Sequence, residues 1–365
     1  MPITSSKISA ILRPHGNNPR NSEGDFLRLK DGRILFAFSY YRGESWGDHC
    51  RCDIRALVSR DEGETFVSDT ENGEPRLLVN AADFGEKNVM SVTLLRMQNG
   101  DAGLVCILKH ADGTDECLLF RSSDECETFA PPVSILPGIW KGYYVLNNCR
   151  VERLSTGRLI APVAQHDVAV GDGKMDGRAK VVFYTSDDDG VTWSRRFGQI
   201  AVPDPRTKTG LQEPGVIELP NGVLYCYMRT DLGFQYESYS IDGELWTPVC
   251  PSAFTSPPSP MKIARNPYTG EYFAVYNPIP NYNGRTNPNG AVWGRTPLAL
   301  VRSADGVHYD FAHMEYIEDD LTRGFCYPAL FFADANTLLL AYCSGGGGEE
   351  AGCLQRLTVR KVTVG

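Results

Sequence analysis

Two residues of opposite charge, Glu213 and Arg229, bracket the segment LQEPGVIELPNGVLYCYMRT at residues 211–230. Alternating apolar residues on either side of the Pro-Asn-Gly turn at 220–222 predict a β-hairpin. The turn lies midway between the two charges, so they are expected to face each other across the strands to within about one residue. A glutamate accepts protons, and the planar fork of an arginine suits a carboxylate. The pair is therefore either part of an active site or a simple cross-strand ion pair.

Further polar residues are expected at the same end of their strands. A residue 9–12 positions before a turn should lie at the opposite rim, roughly 30 Å away at about 3.3 Å per residue. The loops that follow the second strands, at 41–53, 164–178 and 277–295, should open on that rim. One rim arginine alone is commonly a solvated charge, but several beside a glutamate and a tyrosine favour a functional site. The residues expected there are Arg20, Asp48, His49, Asn88, His166, Glu213, Arg229, Arg295 and Tyr327.

A repeated turn of the form Ser-x-Asp-x-Gly-x-Thr-aromatic organises the chain. Three full copies and two shortened ones start at intervals of 63, 64, 54 and 63 residues. Serine and aspartate side chains bind local backbone in such turns, and glycine adopts positive φ. Five copies are too many for one active centre, so we interpret Asp61, Asp124 and Asp188 as structural. The copies begin at Ser59, Ser122, Ser186, Ser240 and Ser303.

A second repeat, a turn followed by a β-rich run, occurs six times between the copies of the first: DGRILFAF, NGDAGLVCIL, TGRLIAPV, NGVLYCYM, TGEYFAVY and ANTLLLAY. A period near 60 in 365 residues fits six units of about four short strands. Long helical periodicity is missing, while period-2 alternation is widespread. The sequence therefore predicts an all-β chain, a six-bladed β-propeller of four-stranded antiparallel blades, forming a single domain over 1–365. The early segment SKISAIL is expected to add the outer strand of the last blade.

With these repeats, the chain resembles the sialidase (neuraminidase) superfamily, whose members are six-bladed propellers carrying Asp-box, or BNR-repeat, turns. The resemblance covers essentially the whole chain. Asp boxes also occur in non-catalytic propellers. The more specific match is Glu213 followed 16 residues later by Arg229, because family enzymes have a similar Glu–strand–turn–strand–Arg unit in the fourth blade.

The resemblance implies roles for individual residues. Glu213 would polarise the catalytic tyrosine, which resembles Tyr327 in GFCYPALFF. Three arginines would hold the substrate carboxylate: Arg229; Arg295, with Arg302 as the competing candidate; and Arg20, with Arg13 as the alternative. The family's Arg-Ile-Pro signature is replaced here by NNPRNSEGDFLRLKDG. The acid/base would be Asp48, with Asp53 second. Glu23 and Asp25 are alternative acids or partners of Arg20, and His166 with Asp167 would contact substrate substituents.

These residue types suit a sialoside, which carries a carboxylate on its anomeric carbon. A carboxylate nucleophile would meet like charge there, whereas a neutral tyrosine avoids it, and sialidases are the known tyrosine exception among glycosidases. The predicted activity is an exo-acting, retaining glycoside hydrolase that releases a terminal sialic acid or a related 2-keto-3-deoxy sugar acid. No metal or organic cofactor is required. The loop at 285–295, rich in Asn and Gly, is expected to close over the site.

Two other functions fit the same pattern. One is a propeller glycosidase with another substrate, such as an exo-arabinanase-like enzyme, in which Glu213 and either Asp48 or Glu23 would perform the chemistry. The other is a non-catalytic propeller that binds carbohydrate or protein. Three arginines meeting at one carboxylate-sized point favour the sialidase-like enzyme, whereas a Tyr327 turned away from Glu213 favours the alternatives.

Composition excludes some classes of partner and compartment. A net charge of −9 argues against a surface that coats nucleic acid. No window approaches 18 consecutive apolar residues, so no membrane span is expected. The N-terminus lacks the apolar core of a signal peptide, although a chain trimmed of its leader would look the same. The 11 cysteines form no framework, and most lie in apolar runs, so we expect reduced thiols and a cytoplasmic protein.

Overall fold

The architecture is all-β. The computed structural model describes residues 2–111, 113–138, 142–169, 173–280 and 294–365. Within these ranges, two single-turn 3₁₀ helices, Ala81–Phe84 and Phe311–His313, accompany a long series of short strands. The strands are β1 Ile3–Leu12, β2 Asn21–Arg28, β3 Ile34–Tyr41, β4 Cys52–Ser59, β5 Arg76–Val79, β6 Asn88–Arg96, β7 Ala102–Lys109, β8 Asp115–Ser122, β9 Val133–Ser134, β10 Tyr143–Val145, β11 Glu152–Arg153, β12 Leu159–His166, β13 Lys180–Ser186, β14 Ser194–Ile200, β15 Gln212–Glu218, β16 Leu224–Arg229, β17 Phe234–Ser240, β18 Cys250–Thr255, β19 Lys262–Arg265, β20 Tyr272–Tyr276, β21 Leu298–Ser303, β22 Glu315–Glu318, β23 Cys326–Phe332, β24 Thr337–Cys343 and β25 Leu357–Val364.

The sheets are built from antiparallel strands that follow one another along the chain. Strands β15–β18 and β19–β22 each form one four-stranded sheet, and β10, β12, β13 and β14 form another, with β11 also paired to β12. The largest sheet contains β2-β3-β4, with β5 on β4, and β6-β7-β8-β9. Its two halves are joined by a parallel bridge between Cys52 and Asn88. The predicted all-β class is therefore confirmed.

The remaining sheet combines the two ends of the chain. Its order is β1-β25-β24-β23, and β1 pairs with β25 from Ile3 opposite Val364 to Leu12 opposite Leu357. The segment SKISAIL lies within β1, so the prediction that it adds the outer strand to the last unit is confirmed. The first unit packs on this sheet, because Phe36 belongs to the same buried cluster as Leu339.

The repeated serine–aspartate turns are held by their own side chains. In the third copy, the Ser186 hydroxyl donates to Asp188 Oδ1 at 2.8 Å, and Thr192 donates its N–H to Oδ1 and its hydroxyl to Oδ2 at 2.8 and 2.6 Å. The Gly190 N–H donates to Ser186 Oγ at 2.7 Å. Hydrogen bonds from Thr192 lower the pKa of Asp188 to about 2. Asp61 and Asp124 make the same contacts, so these aspartates are occupied by turn formation.

Replacement of Asp188 by alanine is expected to lower Tm by a few degrees, because several hydrogen bonds of roughly 1 kcal/mol each are lost at one turn. Activity per folded molecule should not change, since the turn has no contact with the cavity described below. Thermal melts combined with specific activity below Tm measure both effects. A loss of activity without a loss of Tm would show that the turn is functional rather than structural.

No helix within the described ranges is long and apolar enough to cross a membrane. All 11 cysteines are free thiols, and most are buried, as the apolar runs around them predict.

Candidate active site

A cavity of about 600 Å³ lies where the first residues of the β2, β6, β15 and β23 hairpins come together. Its wall contains both charges of the 211–230 hairpin. With Glu213 included, it contains four carboxyl side chains, so the cavity wall carries both acidic and basic groups. The lining residues are Glu23, Asp48, Met90, Ser91, Ile107, Lys109, Asp115, Tyr143, Tyr144, Val145, Asn147, His166, Gln212, Glu213, Arg229, Pro258, Arg295, Tyr327 and Leu354.

Tyr327, Glu213 and Arg229 form one hydrogen-bonded chain. The Tyr327 hydroxyl donates to Glu213 Oε1 at 2.7 Å. Arg229 Nη1 donates to the same oxygen at 2.8 Å. The Glu213 side chain is only 5% exposed and that of Arg229 15%. The carboxylate is thus held on one side by a cation and on the other by a phenol that it can deprotonate.

The register of the hairpin explains how Glu213 and Arg229 meet. Arg229 pairs with Gln212, one residue from Glu213, and the register shifts before Gly215 pairs with Tyr227. This agrees with the prediction that the charges face each other to within one residue. The shift marks a β-bulge at which Glu213 has φ 48°, a left-handed conformation uncommon for non-glycine residues. The bulge changes the direction in which the Glu213 side chain leaves the strand.

The environment of Tyr327 keeps its hydroxyl protonated at rest. Burial raises the pKa of Tyr327 well above its ordinary value, and the charge of Glu213 adds to the effect, while Arg295 opposes it. The Arg295 guanidinium carbon lies 5.6 Å from the centre of the Tyr327 ring. A phenol in this environment would act as a nucleophile only if a nearby base accepted its proton.

Arg20 and Asp48 form a second charged pair at the cavity wall. Arg20 Nη1 donates to Asp48 Oδ1 at 2.5 Å. Asp48 lines the cavity with its side chain 48% exposed, whereas Arg20 is 1% exposed and lies behind the wall. Burial favours the neutral acid, but the charge and hydrogen bond of Arg20, together with the charges of Lys109 and His49, outweigh it and lower the pKa of Asp48. Asn88 fixes this loop by donating its side-chain N–H to the Asp48 and Cys50 carbonyls at 3.1 and 2.5 Å.

Arg295 stands between Tyr327 and the Pro258 loop. Its Nε and Nη2 both donate to the Pro258 carbonyl, at 3.2 and 3.1 Å, and Nη1 contacts Cys326 Sγ at 3.3 Å. The residue is 6% exposed and lines the cavity. Arg229 and Arg295 therefore reach the cavity directly, and Arg20 approaches it from behind Asp48.

His166 lines the cavity with both ring nitrogens engaged. Nδ1 lies 2.9 Å from the Asp176 carbonyl, which only accepts, so Nδ1 carries the hydrogen. Nε2 then accepts the side-chain N–H of Gln212 at 3.0 Å. The ring packs against Tyr143 with centroids 5.3 Å apart. The predicted substrate contact of His166 would therefore use the ring's edge or face.

The described residues contain no group of three or more His, Cys, Asp or Glu side chains arranged to hold a metal ion. The chemistry available to the site, as far as this part of the chain defines it, is that of a phenol hydrogen-bonded to a carboxylate, two arginines on the cavity wall and several carboxyl groups.

The model of the BNR repeat-like domain family matches residues 67–340, well over half of the chain. The chain belongs to the BNR repeat-like family. A search of curated proteins gives this BNR-repeat protein no matching relative.

Solved structures give the BNR-repeat protein the fold of sialidases, as its resemblance to that superfamily predicts. A protein of unknown function from Dyadobacter fermentans has a TM-score of 0.72 at 18% identity, with 100% of both chains covered. The Hadza microbial sialidase Hz136 has a TM-score of 0.70 at 17% identity, covering 95% of this chain and 66% of that one. Trypanosoma rangeli sialidase in complex with sialic acid has a TM-score of 0.71 at 17% identity, covering 100% and 59%. Such a fold suits a glycosidase-type or carbohydrate-binding function.

The competing candidates in the BNR-repeat protein lie away from the cavity. Arg13 is about half exposed and pairs with Glu349. Asp53 is buried in β4 and paired with Arg42. Arg302 lies on β21 over the ring of Phe273. Of the loop at 277–295, residues 281–293 lie outside the described residues, and with them most of the 285–295 segment expected to close over the site.

Several lining residues of the BNR-repeat protein were not predicted. Lys109 Nζ lies 4.8 Å from the Tyr143 ring centre and 3.8 Å from Asp115 Oδ2. Burial raises the pKa of Asp115 to about 6. Lys109 ends β7 and Asp115 begins β8, and both sit at the same rim because the two strands pair there. A search for charged residues at the ends of second and third strands, not only first strands, would have found them.

Proposed function

We propose that this protein is an exo-acting, retaining glycoside hydrolase that releases a terminal sialic acid or a related 2-keto-3-deoxy sugar acid. The observation that carries the proposal is the 2.7 Å hydrogen bond from the Tyr327 hydroxyl to Glu213 Oε1. A tyrosine aimed at a buried carboxylate in an open cavity is the nucleophile–base pair that such a reaction requires. A non-catalytic propeller that only binds carbohydrate or protein would not require this tyrosine–carboxylate pair.

The charges around the cavity support a substrate with its own carboxylate. Arg229, Arg295 and Arg20 approach from three strand units, and the first two line the cavity. Guanidinium groups bind carboxylates through paired N–H donors. Arg229 keeps one nitrogen on Glu213, so the substrate carboxylate would take its remaining donors, with Arg295 adding a second positive charge on the cavity wall. A neutral tyrosine then attacks next to that negative charge, where a carboxylate nucleophile would be repelled.

In the first step, Tyr327 Oη forms a bond to the anomeric carbon while Glu213 takes the phenolic proton. The bond from that carbon to the leaving oxygen breaks, and Asp48 supplies the proton that the leaving oxygen needs. In the second step, Asp48 takes a proton from water, whose oxygen attacks the anomeric carbon. The bond to Tyr327 breaks, and the phenolate recovers its proton from Glu213. Two displacements retain the anomeric configuration.

Asp48 must gain a proton before the first step, and substrate binding provides the reason. Without substrate, the pair with Arg20 keeps Asp48 ionised. A substrate carboxylate close to Arg20 competes for that guanidinium and adds negative charge near Asp48. Both effects raise the pKa of Asp48, so it becomes an acid when the substrate is in place.

We infer that the sheets form a single six-bladed propeller over residues 1–365, with the cavity at the mouth of its central channel. The support is the sequence of antiparallel four-strand units and the packing of the first unit on the last sheet through Phe36 and Leu339. Such closure would bring β2, β15 and β23 to one cavity although Glu23, Glu213 and Tyr327 are far apart in sequence.

The test is a panel of chromogenic glycosides of sialic acid, related keto-acid sugars and arabinose. The wild-type protein is expected to hydrolyse at least one acidic sugar, and NMR of the first-formed product should show a retained anomeric configuration. Hydrolysis of arabinosides alone would favour a two-carboxylate glycosidase. Binding of acidic sugars without hydrolysis would favour a carbohydrate-binding propeller, and inversion would contradict the tyrosine intermediate.

A further inference from the structure

Glu23 is a buried carboxyl group in the cavity that the proposed reaction does not use. It lies in β2, is 2% exposed and lines the same cavity as Tyr327. Its φ is 53°, and the register between β2 and β3 shifts at this point, between Ser22 and Asp25. A non-glycine residue in this conformation persists where the surrounding structure enforces it, and such positions concentrate at functional sites.

The same bulge occurs at the corresponding position of other first strands. Glu213 has φ 48°, Tyr327 has φ 52° and Ser91 has φ 61°, each beside a register shift in its own hairpin. All of them line the cavity. Since two of these bulges present the nucleophile and its base, the bulge at Glu23 presents a third side chain to the same space.

Glu23 faces one edge of the Arg20 guanidinium. Nε of Arg20 donates to Ser22 Oγ at 2.9 Å, and Nη1 donates to the Trp46 carbonyl and to Asp48. Within the described chain, the buried Nη2 has no hydrogen-bond partner, and Glu23 Oε1 lies 3.7 Å from it. The remaining donor of this arginine and the Glu23 carboxyl therefore point into one small region.

The surroundings of Glu23 favour the protonated form of its carboxyl group near neutral pH. Burial raises the pKa of Glu23 to about 7, with the charges of Asp48 and Glu213 acting in the same direction and Arg20 opposing them. The Ser91 hydroxyl donates to Glu23 Oε2 at 3.1 Å. The titratable and charged groups that face it from the neighbouring elements are Arg20, Tyr41, Asp48, Cys52, Tyr143, Glu213, Tyr327 and Cys343.

We propose that Glu23 shares a proton with the carboxylate of the substrate at the Arg20 end of the cavity, so that binding of the acidic sugar takes up a proton. This rests on the proposed function, because it needs a substrate carboxylate. The Glu23 O–H donates to one carboxylate oxygen, while the buried charge of Arg20, whose Nη2 lies 3.7 Å from Glu23 Oε1, stabilises the pair of carboxyl groups from behind. If Glu23 is ionised, two carboxylates face one guanidinium edge, and the repulsion is relieved by uptake of one proton. No covalent bond changes.

The experiment is isothermal titration calorimetry with free sialic acid between about pH 5 and pH 9. For the wild type, affinity is expected to fall about tenfold per pH unit or more above the pKa of Glu23, as loss of a required proton dictates. Repeating the titration at pH 8 in two buffers of different ionisation enthalpy should show uptake of at least one proton, because Asp48 also gains a proton when the sugar acid binds. In Glu23→Gln, whose amide donates without titrating, the pH dependence of affinity should weaken and proton uptake should fall by close to one.

Asp25→Asn is the matched control. Asp25 is two residues away on the same strand and buried, and burial raises its pKa to about 6. Its carboxylate accepts the backbone N–H groups of Phe26 and Leu94 and lines a different cavity. This variant should keep the pH dependence of the wild type.

Three results overturn the proposal. If the affinity of Glu23→Gln keeps the wild-type pH dependence, Glu23 is not the group that takes up the proton. If Glu23→Gln also binds the sugar acid with normal affinity but has a much lower kcat, Glu23 is an acid catalyst instead. A wild-type protein that binds no sugar acid at any pH overturns the proposed function as well, which separates that failure from the other two.

A ligand-free measurement checks the proton independently. Because the folded pKa of Glu23 is raised above that of an unfolded glutamate, the stability from its protonated form is present at low pH and lost as pH rises through about 7. The Tm of Glu23→Gln should therefore rise relative to that of the wild type between pH 5 and pH 8. A constant difference in Tm would overturn the proposal.

Discussion

Replacement of Tyr327 by phenylalanine is expected to lower kcat on a sialoside by about 10³-fold or more, with a much smaller change in KM. The variant loses the oxygen that forms the bond to the anomeric carbon, and removal of one member of a nucleophile–base unit typically costs that much or more. The ring remains, so its packing against Arg295 at 5.6 Å is retained. Steady-state kinetics on the best substrate of the glycoside panel measure the effect.

Tyr342→Phe is the matched control for this variant. Tyr342 lies on β24, next to the strand that carries Tyr327, and its buried hydroxyl also donates to a carboxylate, Glu318, at 2.5 Å. It does not line the cavity. Its replacement should lower Tm and leave kcat unchanged. If Tyr327→Phe kept full activity, the tyrosine mechanism would be wrong, and Glu213 with either Asp48 or Glu23 would become the catalytic carboxyl groups to test.

Much of the fold could be predicted from the sequence, because its determinants are local and repeated. The serine–aspartate turns fix their own geometry through bonds between residues two to four apart, as Asp188 shows. The runs after the turns are short and continuously apolar, as expected for strands that are buried on both faces. The spacing from a turn to Glu213 or Tyr327 then places both at one rim, and the structure brings their side chains to 2.7 Å.

The parts that the sequence did not predict depend on bulges and on desolvation. No local pattern marks the left-handed conformation of Glu23 or Ser91, since neither is a glycine, and it arises from the register that the hairpins adopt. The raised pKa of Glu23 comes from burial among residues distant in sequence. The pair of Arg20 with Asp48 likewise depends on the path of the 41–53 loop, which carries no repeat.

Removal of the Arg229 side chain is expected to have the largest effect on stability. Arg229→Ala leaves the Glu213 carboxylate buried, at 5% exposure, without the cation that lies 2.8 Å from it. Breaking a buried ion pair on one side costs about 3–5 kcal/mol, because the remaining charge is uncompensated. Urea unfolding at pH 7 measures the loss. Arg178→Ala, which breaks the exposed pair with Asp176, should cost clearly less.

A second substitution shows whether the lost stability comes from the stranded charge. Glu213→Gln removes that charge but keeps a carbonyl oxygen that can accept from the Tyr327 hydroxyl, so the double variant with Arg229→Ala should regain part of the stability. Strictly additive losses in the double-mutant cycle would mean that the two side chains are not coupled. Sugar-acid binding separates the two roles proposed for Arg229. If it holds the substrate carboxylate, the double variant stays weak in binding although it is folded, whereas a purely structural arginine would let affinity return together with stability.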